Sequence, residues 1–406
     1  MIFYNKPRAY QKARFFRKKF DKRSFYYSLK NTIITVMKIL YVISSTETGG
    51  AEKALCQLAM SMQKNGHTVR ILCLKPFGSV AKKIQKEGIS IISLSKLKFP
   101  GRTIKKIKRE IISFKPDIVH AMLFRAITYT RMACAGLPVK LITTPHFNLS
   151  KKSIFHRWID FLLKGVDALT IAESRSTADY LVNRQHYPKN KVFFLPNSVD
   201  KTRFYQDENI RNSMREKQQF SRENFVFLCV ARLSPEKNSF ILLQAFRNVL
   251  RTCPNSKLVY VGEGEERAKL EKYIQLNNMQ KSVLLAGEQK DINDWLNMAD
   301  AFVLPSLEES LPLALLEALS VGLPCLVSNE GDMPLWVEHG QNGYVCQAED
   351  MTLLSCFMKE LSSNADLKGK MAEKSLRKAT SIGDSFQQYH QIYQQVSTNS
   401  FHVKTN

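Results

Sequence analysis

The sequence contains no Cys-x-x-Cys pair, no Asp-x-Asp pair, no Gly-x-Gly-x-x-Gly run and no internal repeat. Its eight cysteines stand singly at positions 56, 73, 134, 229, 253, 325, 346 and 356, most of them inside apolar runs such as 225–230. Scattered buried thiols without paired spacing are the usage of a reduced compartment, not of a disulfide scaffold or a zinc site. The best candidate for a membrane span, 33–43, is about a dozen residues long and is broken by Lys38. A bilayer demands ~20 apolar residues, so no span is expected. A basic start followed by that run imitates a signal peptide, but 39–44 reads better as the first strand of a fold, and a cytoplasmic protein is expected. Without Asp-x-Asp there is no evident carboxylate pair to hold a metal–diphosphate complex. Neither a metal nor any other cofactor is expected.

Acidic residues are scarce in one half only. Residues 1–205 carry 11 Asp/Glu against 39 Lys/Arg, whereas 206–406 carry 25 against 21, and the whole chain has a net charge of +24. Such asymmetry implies different partners for the two halves, the basic one facing an anion such as nucleic acid, acidic lipid or a phosphorylated substrate.

At 406 residues, 44% of them hydrophobic, the chain is globular and too long for one core. Residues 1–36 form a basic, aromatic extension with ten Lys/Arg and one Asp, and Met37 resembles a natural protein start. From there short apolar runs at 39–44, 69–74, 89–94, 118–120, 140–144, 168–172 and 192–195 alternate with helical stretches such as 51–64 and 103–114. A second series follows at 225–231, 258–262, 283–286, 301–305, 325–328 and 343–345. Buried strands alternating with helices predict an α/β fold of two Rossmann-like parallel-sheet domains. The boundaries expected are 37–205, 206–383 and a C-terminal helix and tail, 384–406, with the linker near 200–222. The last helix, carrying Phe386, Tyr389 and Tyr393 on one side, suits either domain.

Three segments carry chemistry. Thr48-Gly49-Gly50-Ala51-Glu52 follows the first strand and opens a helix, a place where glycine admits close backbone approach and helix amides favour an anion; it reads equally as a plain tight turn. Ala231-Arg232-Leu233-Ser234-Pro235-Glu236-Lys237-Asn238 follows the first strand of the second half. Arg232 and Lys237 there are either surface cations or a pair converging on a diphosphate. The most specific stretch runs from Pro305 to Pro324, placing Glu309 in a loop and Glu317 within the helix begun near Pro312. The first-turn amides, Leu315 and Leu316 among them, suit phosphate oxygens, and a carboxylate at Glu317 suits two sugar hydroxyls. Both glutamates also read as helix-start acids favoured by the dipole.

From Met37 to about Tyr393 the chain resembles glycosyltransferase family four, the retaining, group 1 type enzymes of the GT-B fold. Glu309-x7-Glu317 resembles that family's Glu-x7-Glu motif. Ala231–Asn238 is similar to its Gly-Arg-Leu…Glu-Lys loop, with alanine for the first glycine, and Leu195-Pro-Asn-Ser-Val-Asp200 is similar to its Pro-Asn-Gly-Val-Asp segment, with Ser198 for glycine. Gly49-Gly-Ala-Glu52 resembles its N-terminal glycine loop. The resemblance implies transfer of a sugar from a nucleotide diphosphate donor, a UDP-sugar first, to a glycan or lipid-linked acceptor in cell-surface polysaccharide synthesis such as lipopolysaccharide or capsule. Arg232 and Lys237 would hold the diphosphate, Glu317 the ribose, Glu309 the transferred sugar, and Gly49 and Gly50 the phosphates from the facing domain. His146 would line the reaction centre, with His120 and Glu52 on the acceptor side; a lone histidine after a strand is also a common structural hydrogen-bonder. Where the family has Gly-Gly-x-x-Glu, this chain has Asn329-Glu-Gly-Asp-Met-Pro334, which leaves the donor sugar open. The same fold serves epimerases and phosphorylases. A nucleic-acid binder would account for 1–36 but not for the acidic half, so no nucleic-acid partner is expected. The helix at 103–114, with Lys105, Lys106, Lys108 and Arg109 around an isoleucine face, reads either as a core helix with a solvated side or, together with 1–36, as a surface for anionic membrane.

Overall fold

The structure, a computed structural model, describes residues 36–47, 49–97, 99–146, 153–383 and 385–400. The basic extension therefore lies outside the described residues but for Val36, as does Thr48 of the glycine loop.

Two parallel sheets form the body of the protein. The first has seven strands in the order β3-β2-β1-β4-β5-β6-β7. These are Lys38–Ile43 (β1), Thr68–Cys73 (β2), Ser90–Ser93 (β3), Ile118–Met122 (β4), Lys140–Thr144 (β5), Leu169–Ala172 (β6) and Val192–Phe194 (β7). The second has six in the order β10-β9-β8-β11-β12-β13. They are Phe225–Val230 (β8), Ser256–Val261 (β9), Val283–Leu285 (β10), Ala301–Leu304 (β11), Cys325–Ser328 (β12) and Gly343–Cys346 (β13). Every strand pair is parallel. The central strands are largely apolar because helices cover both faces; in β1 every residue after Lys38 is buried. In each sheet the order reverses beside the first strand. That leaves a crevice outside the carboxyl ends of the strands, where open α/β sheets bind ligands.

Three findings differ from the sequence reading or settle what it left open. The segment expected as linker is structured: Glu208–Lys217 is helical, and Arg211 and Arg215 fasten it to Asp300 at 2.8 and 2.5 Å. Val199 and Phe204 already belong to the second domain's core. The terminal helix Ser385–Ser397 packs on the first domain, burying Tyr389, Ile392, Tyr393 and Val396 beside β1 and the helix Gly50–Lys64. The helix Pro100–Phe114 sinks Ile107 and Ile111 into the other face of that sheet. Its cations lie on the outside, Lys106 pairing with Glu110 at 2.7 Å. Beside them Ile112 is exposed.

Candidate active site

The second domain contributes two loops at the carboxyl edge of its sheet. After β8 the chain turns through the 3-10 segment Pro235–Lys237, and Asn238 in the left-handed conformation (φ +57°) closes the turn. Asn238 donates from its side-chain amide to the carbonyls of Pro305 and Ala348, at 3.2 and 2.8 Å, which ties this loop to the one after β11. The result brings Lys237 and Glu309 together: Nζ lies 2.6 Å from Oε1, and Ser306 donates to the same oxygen at 3.0 Å. Arg232 stays exposed on the near side of the loop. Two glycines make room for this arrangement. A Cβ on Gly262 would stand 1.9 Å from the Ala231 carbonyl, and one on Gly331 would stand 2.3 Å from that of Glu309. Both also have φ in the region that favours glycine.

The helix Leu313–Ser320 begins immediately after Pro312, which is its N-cap and not its first residue. Leu315 and Leu316 are fully buried, so only their backbone amides are available to a ligand. Glu317 is half-buried, and among the described residues no hydrogen bond or ion pair reaches its carboxylate. Burial pushes that carboxyl above its ordinary range, while the charges of Lys53 and Arg203 pull it back. Lys53 comes from the first domain, so this carboxylate stands where the two halves face each other.

The first domain supplies the opposite wall. Gly50 opens the helix Gly50–Lys64, and a Cβ there would meet nothing within 4 Å. Neither Gly49 nor Gly50 needs a positive φ; the space beside Gly50 is what the residue provides. Glu52 folds back over Gly49. Burial raises its carboxyl, and its own backbone N–H, His146 and Arg232 oppose that rise. The influence of Arg232 on Glu52 again spans the cleft. His146 takes a left-handed backbone (φ +49°) after β5 and contacts the Glu173 carboxylate through Nδ1. Its Nε2 is buried without a hydrogen-bond partner among the described residues. A buried ring nitrogen without a partner is a feature that requires an explanation.

His120 lies elsewhere. It is fully buried, Nδ1 2.6 Å from the Tyr393 hydroxyl and Nε2 2.7 Å from that of Thr144. Burial, helped by His146, drives its pKa down to about 3. Both nitrogens are engaged, so His120 has none to offer an acceptor; it pins the terminal helix to the sheet. Sequence reasoning also missed Asp332, whose carboxylate accepts from the backbone N–H groups of Arg175 (2.6 Å) and Ser176 (3.1 Å). A residue of the second domain thereby caps a helix of the first, Arg175–Asn183. Glu173 and Asp332 lie in loops with no local pattern, and nothing in the sequence signalled either. Among the described residues no three His, Cys, Asp or Glu side chains converge as a metal site.

Two facing Rossmann-like domains, with cations and carboxylates on the second and a glycine-opened helix on the first, make the GT-B architecture. The profile for Glycosyltransferase Family 4 matches residues 48–203, and that for Glycosyl transferases group 1 matches 210–378. An Escherichia coli UDP-Gal:alpha-D-GlcNAc-diphosphoundecaprenol alpha-1,3-galactosyltransferase is 32% identical over 273 residues, which is 64% of this chain and 67% of the relative. The N-acetyl-alpha-D-glucosaminyl L-malate synthase of Bacillus anthracis is 26% identical over 296 residues, 69% of this chain and 75% of that one. Among solved structures, HepE from Anabaena in complex with UDP superimposes with a TM-score of 0.79 at 19% identity, covering 89% of this chain and all of that one. The chain belongs to the group 1 glycosyltransferases of family four, and it is a glycosyltransferase.

Proposed function

We propose that the protein is a retaining, metal-independent glycosyltransferase that moves a sugar from a UDP-sugar to a lipid-linked acceptor at an anionic membrane surface, in assembly of a cell-surface polysaccharide. The observation that carries this reading is the gathering of Arg232, Lys237, Glu309 and the helix Leu313–Ser320 at one edge of the second sheet. The donor choice is supported by the UDP-galactose in the name of the Escherichia coli relative and by the UDP bound to Anabaena HepE. The acceptor class is supported by the diphosphoundecaprenol in the same relative's name.

Arg232 and Lys237 meet the donor diphosphate, the guanidinium gripping oxygens in pairs and the ammonium acting as a point charge. The amides of Leu315 and Leu316 and the open ground over Gly50 approach the same phosphates, and Glu317 takes the ribose hydroxyls. Glu309 positions the transferred sugar, and when the donor enters, Lys237 is shared between that carboxylate and the phosphate. His146, through its orphaned Nε2, faces the reacting centre. The chemical step is loss of a diphosphate leaving group, so catalysis rests on fixed positive charge and amide dipoles where negative charge develops.

A panel of nucleotide sugars, read by nucleotide release and by NMR of the product's anomeric configuration, tests this. Release from UDP-sugars only with acceptor present, and an unchanged anomeric configuration, is the expected result. Turnover of the donor without any acceptor identifies an epimerase instead, and inversion overturns the retaining mechanism.

A further inference from the structure

The first sheet has its own crevice at the strand-order reversal, where β1 lies between β2 and β4. A cavity of about 580 Å³ occupies it, with Ser44 at the end of β1, Lys75 beyond β2, Leu123 beyond β4, Arg125 in the helix Phe124–Cys134, and His156 among its lining residues. Ser44 and Gly50 bracket a single loop, so the cavity opens on the same edge as the cleft. Lys75 and Arg125 are exposed within it, and no ion pair engages either among the described residues. Two cations without an ion pair among the described residues, set in a concave crevice, suit an anion, and they are distinct from Arg232 and Lys237, which lie on the other domain.

One wall of the cavity is the helix Ile154–Leu163, and its polarity is inverted. The single fully buried side chain is Asp160, held by Arg131 at 2.7 Å in a network with Asp167 and Tyr187. Its apolar residues look outward: Ile154 is 74% exposed, Phe155 70%, Trp158 63% and Leu162 69%, with Phe161 beside them. These positions follow helical spacing and so form one continuous face. Five large apolar side chains on one exposed face mark an interaction surface. Tryptophan and phenylalanine on a helix lying in a strongly basic domain fit the bilayer interface, not a protein groove.

Resting on the transferase reading above, we propose that the face of Ile154–Leu163 lies on an anionic bilayer, and that the adjoining cavity takes the phosphates of a membrane-anchored acceptor through Lys75 and Arg125. The lipid chain remains in the bilayer while the sugar end reaches the cleft along the edge that carries Ser44 and Gly50. Full-length protein is sedimented with vesicles of phosphatidylcholine and phosphatidylglycerol, with and without a polyprenyl diphosphate. Substituting Phe155→Ser, Trp158→Ser and Leu162→Ser together is expected to weaken binding to both vesicle types at least tenfold. Polyprenyl diphosphate is expected to tighten wild-type binding at least tenfold, and Lys75→Gln with Arg125→Gln to abolish that gain while leaving binding to undoped vesicles within about threefold. Circular dichroism and UDP affinity by calorimetry report whether each variant is folded with its donor site intact. Wild-type vesicle binding by the triple variant, or a diphosphate effect that survives loss of both cations, overturns the proposal. If UDP fails to bind the wild type while the vesicle results hold, the donor reading falls and this one stands.

Discussion

At the scale of single residues, the site is built from groups whose loss leaves the core untouched. Arg232 is exposed, so Arg232→Ala is expected to keep its melting temperature and lose turnover by about 10²–10³-fold, the ~2.7–4 kcal/mol typical of one donor aimed at a developing charge. Steady-state kinetics and a thermal scan on one preparation check both halves, and near-native turnover removes the diphosphate assignment. Glu317→Gln is expected to raise the donor KM with a smaller effect on kcat, because ribose contacts hold ground state and transition state alike. His120 has the opposite character, buried and structural. Its folded pKa of about 3 lies below the ~6.5 of an unfolded chain. The unfolded state therefore binds a proton that the folded state refuses, and the contribution is complete above pH ~6.5 and drains away as pH falls toward 3. At about 1.4 kcal/mol per unit the loss reaches several kcal/mol. Denaturant melts at pH 7 and pH 4.5 are expected to show a smaller acid loss in His120→Gln than in the wild type, and equal losses remove His120 from the acid response.

At the scale of elements, alternation of apolar runs was enough to place the thirteen strands of the described residues, because a strand covered on both faces is apolar along nearly its whole length, as β8 is and as β1 is after Lys38. The donor-side motifs were legible for a related reason. Arg232 and Lys237 lie in the loop after β8 and Glu309 in the loop after β11, so sequence position alone places them at the carboxyl edge of the sheet, with Glu317 inside the helix that follows. What stayed hidden was made by tertiary contact. The segment near 208–217 carries little apolar pattern because two arginines bonded to Asp300 do much to hold that helix in place, with Met214 and Ile210 its apolar contacts to the core. The helix Ile154–Leu163 escaped because its apolar face points away from the core. The fate of His120 depended on Tyr393, 273 residues away. Asp332 belongs to this class too, since its meaning comes only from the helix Arg175–Asn183 in the other domain. The same loop returns to the donor side: the Asp332 N–H donates to the Ser310 carbonyl at 2.8 Å, one residue past Glu309. Removing a carboxylate cap costs ~1 kcal/mol. Asp332→Ala is expected to lower the free energy of unfolding by about that amount, and to enlarge the radius of gyration in X-ray scattering as the two domains part. A stability loss with no change in dimensions would make Asp332 a simple cap and not an interdomain tie.

At the scale of the whole molecule, charge is divided as the proposed reaction is divided. The basic first half carries the crevice proposed for the acceptor, while the second, slightly acidic half holds at one loop the two cations proposed for the donor. No helix among the described residues is long and apolar enough to cross a membrane. The diphosphate, in turn, would have to be stabilised by what the two domains bring to the cleft. A transferase that relies on a metal must hold it through a hard oxygen set, usually carboxylates next to the phosphates. Of the two carboxylates beside the loop cations, Glu309 is already bonded to Lys237 and Ser306, and Glu236 accepts from the Ser234 hydroxyl, which leaves Glu309 a partner for an ammonium or a sugar hydroxyl. Arg232, Lys237 and the amides opening Leu313–Ser320 supply positive potential without any ion. Transfer is therefore expected to proceed in EDTA at close to the untreated rate, and added Mg²⁺ or Mn²⁺ to change it less than twofold. The measurement is initial rate against chelator concentration at saturating donor. Complete loss of activity, restored by either metal, would show that the loop cations are insufficient and that the diphosphate is carried by an ion.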